Sequence, residues 1–198
     1  GDGTGTYNIS TATALVLAGA GIPVAKHGNK AVSSKSGAAD VLTALGINLD
    51  CPEEALSKAL KVAKIVFLMA PRHHSAMRHV GPIRLELGVR TIFNLLGPLS
   101  NPALVRRILV GVFDARWLQP FAEALRTLGT TDAFIVHGAD GLDELSTTGN
   151  NQITRLKDGQ ISKTTLHPSE LSLPTASLSD IKGGSAEELS LIHISEPT

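Results

Sequence analysis

Four stretches of the chain combine residue types that can do chemistry. The first, Gly1 to Thr11, alternates glycine with Asp2, Thr4 and Thr6 before Asn8, Ile9, Ser10 and Thr11. Glycines let backbone N–H groups close on an anion, and a Ser/Thr pair opening a helix places the anion at the positive helix end. The stretch lacks the Gly-Lys-Ser/Thr ending of a Walker loop and has no visible strand before it, so a flexible loop with a helix cap fits it equally well. The second runs Lys26-His27-Gly28-Asn29-Lys30-Ala31-Val32-Ser33-Ser34-Lys35-Ser36-Gly37. It follows a short apolar run, and the carboxyl ends of strands are where α/β sheets bind ligands; its lysines, amide and hydroxyls make a cradle for a polyanion. The third, Gly138 to Glu144, ends in Asp143-Glu144. Adjacent loop carboxylates suit Mg²⁺, which takes one or two carboxylates together with phosphate oxygens. Alone the pair would read as a solvated turn; beside two anion cradles it reads as a cation site. The fourth gathers Arg72, His73, His74, His79, Arg84 and Glu86. Its histidines lack the i, i+4 spacing of a helical zinc pair. It suits an aromatic acid, with Arg84 forking onto the carboxylate; the plainer alternative for Arg84 is a surface ion pair with Glu86 or a neighbour.

The elements that must carry these stretches alternate along the chain. The pattern predicts a helix from Ser10–Thr11 to about Ala20, a buried strand over Ile22–Ala25 and a helix over Ala38–Leu45 capped by Ser36. A helix opening at Pro52 and running to about Lys61 follows, then a strand over Ile65–Met69. Helical segments are predicted over His73–Leu87 and Thr91–Leu96, interrupted around Gly81-Pro82 and Gly88. Ile108–Phe113 reads as a strand, Leu118–Leu128 as a helix and Ala133–Val136 as a strand. A polar loop over His137–Asn151 leads to a hairpin over Ile153–Ile161 turning at Asp158-Gly159, and Pro168–Ser179 reads as a loop. Such alternation predicts an α/β fold, a largely parallel sheet flanked by helices.

Composition narrows the function classes. Among 198 residues, 18 Lys+Arg balance 18 Asp+Glu, so a charged ligand must be held by local geometry and not by a whole-protein field. That balance argues against nucleic acid or an anionic membrane surface as partner. Apolar residues make up 42% and aromatics 4%, which excludes disorder and leaves Ala, Leu, Val and Ile to fill the core. The single cysteine, Cys51, excludes an internal disulfide or a cysteine zinc cluster. The longest apolar run, Ala14–Ala25, is broken by Pro23 and is too short to span a bilayer. No basic leader opens the chain, so a cytoplasmic location is expected.

The strings GDGTGTYNIST, PVAKHGNKAVSSKSGAADVLTALG, GPIRLELGVRTIFNLLGPLSNPA and HGADGLDELS, in that order, resemble the anthranilate phosphoribosyltransferases of tryptophan biosynthesis. The likeness covers about residues 1 to 189. It implies transfer of a phosphoribosyl group from phosphoribosyl pyrophosphate to the amino nitrogen of anthranilate, with pyrophosphate released and Mg²⁺ as cofactor. It assigns the donor to Gly1, Asp2, Thr6, Asn8, Ile9, Ser10, Thr11, Lys26, His27, Gly28, Asn29, Lys30, Ala31, Val32, Ser33, Ser34 and Ala38. Anthranilate would meet Gly1, Asn29, His74 and Arg84, and the metal Ser10, Asp143 and Glu144; no residue is assigned as a catalytic base. The resemblance also implies residues 1–72 and 99–189 as two parts of an α/β phosphoribosyl-binding domain. Residues 73–98 would contribute helices to a small helical domain whose N-terminal helices are missing, and which forms a homodimer contact in the whole protein. Residues 190–198 read as a non-native tail. Ala38 departs from the family, which often has a serine there. Two alternatives stand beside this reading: a pyrimidine nucleoside phosphorylase of the same fold group, which would use phosphate and no divalent metal, and an inactive ligand-binding fragment.

Overall fold

The computed structural model describes residues 5–30, 37–75, 77–89 and 91–194. In chain order the elements are α1 (Ile9–Gly19), β1 (Val24–Gly28), α2 (Ala38–Ala44), α3 (Glu53–Ala63), β2 (Ile65–Met69), α4 (Ala70–His73), α5 (Met77–Leu87) and α6 (Phe93–Leu99). Then follow β3 (Arg107–Gly111), α7 (Leu118–Thr127), β4 (Asp132–His137), β5 (Asn151–Lys157), β6 (Gln160–Leu166) and α8 (Ala186–Ile194). They fall into two compact units, one of residues 7–103 and 183–198 and the other of residues 1–6 and 104–182. The fold is α/β, as the alternation predicted.

In the unit of 7–103 and 183–198, β1 and β2 pair in parallel, Val24 opposite Ile65 and Gly28 opposite Met69. The apolar run Ile-Val-Phe-Leu-Met makes β2 a buried strand, with Val66, Phe67 and Leu68 all buried. Ala39 and Leu42 of α2 pack on Phe67, joined by Ala38, Leu45, Leu49 and Met69. Pro52 caps α3, and Glu53 and Glu54 fill its first turn, where the helix dipole favours acid. Three expectations change here. Lys26, His27 and Gly28 belong to β1 itself, which starts at Val24 and not at Ile22; hydrogen bonding to β2 carries the strand past Ala25. Ser10 and Thr11 lie inside α1, with Asn8 at the cap position and no side chain capping the first turn. Gly81-Pro82 does not break α5, since Pro82 removes only the bond its nitrogen would make four residues back. The expected cap Ser36 lies outside the described residues.

In the unit of 1–6 and 104–182, the sheet order is β3-β4-β5-β6. β3 and β4 are parallel, while β4, β5 and β6 are antiparallel neighbours, so the parallel character expected of the whole sheet is confined here to one pair. Leu118, Phe121, Ala122 and Leu125 recur at helical spacing on α7 and are buried. Beneath that helix, Ile135 and Leu156 are fully buried. The β5–β6 turn sits at Asp158-Gly159 as predicted, with φ of 48° and 80°, the left-handed pair of a type I′ hairpin. Asp132 on β4 and Arg155 on β5, diagonal in a register that sets Asp132 opposite Lys157, share two hydrogen bonds of 3.1 and 3.3 Å, and the guanidinium holds the carboxyl below its usual range. Among the described residues no helix is long and apolar enough to cross a membrane.

Candidate functional site

α1 and β1 bring together the polar groups of the first two stretches. Thr11, 1% exposed, donates its hydroxyl to Asn8 Oδ1 at 2.8 Å, fixing Asn8 at the helix start. Lys26 Nζ, reaching across from β1, donates to Ser10 Oγ at 3.0 Å. An ammonium thus stands at a helix start that no side chain caps, an arrangement that favours an anion through charge and backbone donors together. Ile9 is the first residue of that helix and half-buried. Gly28 ends β1 under the Phe67 ring, where a Cβ would lie 3.0 Å from a ring carbon, so a side chain there would require the ring to shift by a few tenths of an ångström. Asn29 accepts from the Lys30 backbone N–H at 2.8 Å, and its carbonyl accepts from the Ala39 N–H at 3.4 Å. Ala38 sits against the Ala39, Leu42 and Phe67 cluster. Gly1, Asp2, Ala31, Val32, Ser33 and Ser34 lie outside the described residues.

The histidines form a second group in the same unit. His27 and His74 face each other edge-on, Nε2 to Nε2 at 3.2 Å, and His27 Nδ1 lies 3.2 Å from the Gly97 carbonyl. Burial, and then the neighbouring His74, push the His27 pKa down, which keeps its imidazole neutral. His73 Nε2 is buried with no partner among the described residues. Arg72 pairs with Asp50. Arg84 is half-buried on α5, its guanidinium 5.6 Å from the centre of the Phe93 ring on α6. It forms no ion pair with Glu86 or a neighbour, so the plainer alternative raised for Arg84 does not hold among the described residues.

The other unit carries Thr6, which bridges antiparallel to Lys182, and the acid pair. Asp143 and Glu144 are half-buried between two buried residues, Leu142 at 0% and Ser146 at 7% exposure. The loop that holds them closes through Gly138 N–H to the Leu142 carbonyl at 2.8 Å. Among the described residues no three His, Cys, Asp or Glu side chains gather into a metal site. Two adjacent carboxylates without further protein ligands are the donor set of a cation that completes its shell with water and phosphate oxygens.

Sequence reasoning missed Asn101, whose side chain donates to the Ala25 carbonyl at 3.0 Å and anchors residue 101 to β1. It also missed Asn151, a buried amide with three hydrogen bonds to the acid loop and one to Leu166 of β6. An asparagine where a strand begins carries no signature that distinguishes it from an ordinary turn residue.

Comparison with known proteins identifies the family. A family model described as "Glycosyl transferase family, a/b domain" matches residues 1–193. The anthranilate phosphoribosyltransferase of Parvibaculum lavamentivorans is 57% identical over 188 residues, 95% of this chain and 55% of that protein. Its counterpart in Rhizobium etli is 59% identical over 184 residues, 93% of this chain and 54% of that protein. The chain therefore spans about half the length of the curated relatives it matches. Among solved structures, anthranilate phosphoribosyltransferase from Thermus thermophilus superposes with a TM-score of 0.90 at 48% identity, covering 98% of this chain and 57% of that one. The Saccharomyces cerevisiae enzyme, solved in complex with PRPP and Mg, gives 0.88 at 34% identity, covering 98% of this chain and 53% of that one. With a family model matched over nearly every residue and the same backbone in solved relatives, the chain belongs to the glycosyl transferase family, in its a/b domain.

Proposed function

We propose that the protein of which this chain is part transfers the phosphoribosyl group of phosphoribosyl pyrophosphate to the amino nitrogen of anthranilate. Two complementary devices, one in each compact unit, support this reading, and the first carries it. One is an ammonium at an uncapped helix start, Lys26 on Ser10; the other is a half-buried pair of adjacent carboxylates, Asp143 and Glu144. A pyrophosphate ester requires both, since its anionic oxygens take donors directly and a divalent cation in addition. The relatives bear the name of this activity, and the yeast enzyme was solved with both PRPP and Mg.

In this reading Asn8, Ile9, Ser10, Thr11 and Lys26 hold the donor's phosphates, together with Lys30, Ala31, Val32, Ser33 and Ser34. Asp143 and Glu144 would hold Mg²⁺, and the cation would neutralise charge on the leaving pyrophosphate. The C1–oxygen bond breaks with its electron pair going to pyrophosphate, the aromatic amine nitrogen bonds to C1, and that nitrogen then releases a proton to solvent. Lys26 and the α1 backbone amides stabilise the charge that develops on the leaving oxygens. The amine is neutral at pH 7, so holding it against C1 does the remaining work and no side chain serves as base. Asn29, His74 and Arg84 line the acceptor's path, Arg84 taking its carboxylate. His27, kept neutral by burial and by His74, adds no second positive charge beside Lys26. The reaction takes place in the cytoplasm, and the whole protein is a homodimer; the exposed apolar side chains Ile83, Leu87, Val89 and Ile92 offer a face for such a contact.

The test is loss of anthranilate fluorescence on adding phosphoribosyl pyrophosphate and Mg²⁺ to the full-length protein. The Asp143→Asn, Glu144→Gln double variant is expected to lose Mg²⁺-dependent turnover while keeping its circular dichroism. Turnover that ignores Mg²⁺ and runs with phosphate on a pyrimidine nucleoside would overturn the proposal.

A further inference from the structure

Two neighbouring carboxylates bind a cation well only when the backbone between them is held still, because disorder in the pair is lost on binding. The loop from 138 to 151 holds this pair through groups other than the carboxylates themselves. Gly111, the last residue of β3, lies against the Asp143 carbonyl, and a Cβ built there would overlap that oxygen. Gly138 lies against the Glu144 carbonyl in the same way. Glycine is not required at Gly138 by backbone angles, since its φ of −79° and ψ of 170° suit any residue. What glycine supplies there is room for a main-chain carbonyl.

The far side of the pair is held by Asn151, 2% exposed at the start of β5. Its Oδ1 accepts from the Ser146 N–H at 2.7 Å, and its Nδ2 donates to the Ser146 carbonyl at 2.9 Å. Both main-chain groups of one residue are thereby fixed by one rigid amide. The same Nδ2 also donates to the carbonyls of Gly149 at 3.0 Å and of Leu166 on β6 at 3.1 Å. On the near side, fully buried Leu142 anchors the chain through its side chain.

We propose that Gly111, Gly138 and Asn151 are positioning residues for Asp143 and Glu144, setting the affinity of the acid pair for its divalent cation. The inference rests on the reading of that pair as cation ligands. Gly138→Ala pushes on the Glu144 carbonyl without backbone strain. Asn151→Asp keeps the acceptor for the Ser146 N–H and removes the donated bonds.

The experiment follows free Mn²⁺ by electron paramagnetic resonance as it is titrated into the full-length enzyme with phosphoribosyl pyrophosphate present. Melting curves run in parallel. Gly138→Ala and Asn151→Asp are expected to weaken Mn²⁺ binding about tenfold or more, the usual effect of losing groups that orient metal ligands. In turnover, the Mg²⁺ needed for half activity rises while the anthranilate KM stays put. Gly19→Ala, where a new Cβ meets open space, leaves Mn²⁺ binding unchanged. Folded Gly138→Ala and Asn151→Asp proteins that bind Mn²⁺ like wild type would overturn the positioning role. If neither variant folds, wild-type amide exchange decides: a Ser146 amide slowed by about a hundredfold or more supports the clamp, and an unprotected one overturns it. The Asp143→Asn, Glu144→Gln protein separates the two levels. If it binds Mn²⁺ normally, the reading of the pair itself fails; if it alone loses Mn²⁺, only the positioning role fails.

Discussion

Removing the Arg84 guanidinium separates a structural role from a substrate contact, because the structure limits what Arg84 does for stability. It is half-buried, forms no ion pair among the described residues, and rests 5.6 Å from the Phe93 ring centre. A cation–ring contact at such a site contributes about 0.5–1 kcal/mol, so Arg84→Ala is expected to lower stability by no more than that. A bidentate hold on the anthranilate carboxylate is a different quantity. Charge-assisted hydrogen bonds contribute about 1.5–3 kcal/mol, which corresponds to an anthranilate KM raised roughly 10- to 100-fold. The KM for phosphoribosyl pyrophosphate should barely move, the donor groups being on α1 and β1. Arg84→Lys restores part of the loss, since an ammonium gives charge without the planar fork. The assay is steady-state kinetics on the full-length enzyme, each substrate varied at saturation of the other, with a thermal melt of each variant. Equal effects on both substrates, or a lowered melting temperature with unchanged KM, would refute the assignment and make Arg84 a support for Phe93.

Three further outcomes are expected. Ile135→Ala, at the fully buried centre of β4 beneath α7, should cost about 2–5 kcal/mol in urea unfolding, and a cost under about 1 kcal/mol would mean the site collapses around the cavity. Gly159→Ala places a Cβ on a residue with φ of 80° in the β5–β6 turn and should cost about 1–2 kcal/mol by the same measurement; a neutral effect would mean the turn changes type. The His27 pKa is lowered in the folded state, so the unfolded chain takes up its proton first as pH falls. Stability from the neutral imidazole is therefore complete above the ordinary histidine value of about 6.5 and is lost as pH drops through the folded value. Unfolding followed from pH 8 to pH 5 should show a decline that His27→Gln flattens, and an unchanged slope would remove His27 as its source.

Much of the fold was legible because its signals are local. The run Ile65–Met69 could only be a buried strand, the spacing of Leu118, Phe121, Ala122 and Leu125 could only be an amphipathic helix, and Asp158-Gly159 announced its turn. The errors fall where a partner element decides. β1 extends through Lys26, His27 and Gly28 because β2 offers hydrogen bonds as far as Met69, and nothing in a polar Lys-His-Gly string announces that partner. Likewise Pro82 punctuates a sequence strongly, yet costs a helix one bond, and α5 continues past it.

The candidate site was legible at its charged groups and silent at its supports. Lysine and adjacent carboxylates have composition signatures because their chemistry is in the side chain. Gly111 and Gly138 act through what they lack, making room for the carbonyls of residues far along the chain, and no spacing rule links position 111 to 143. Asn151 acts on main-chain groups, which every residue has, so its partners Ser146, Gly149 and Leu166 give no compositional clue. The consequence is that a chain can keep Asp143 and Glu144 and still bind a cation more weakly at the proposed site through any of these silent positions. A variant with the acid pair intact and Gly138 replaced should therefore need about tenfold more Mg²⁺ than wild type for half activity, although none of its carboxylates has changed.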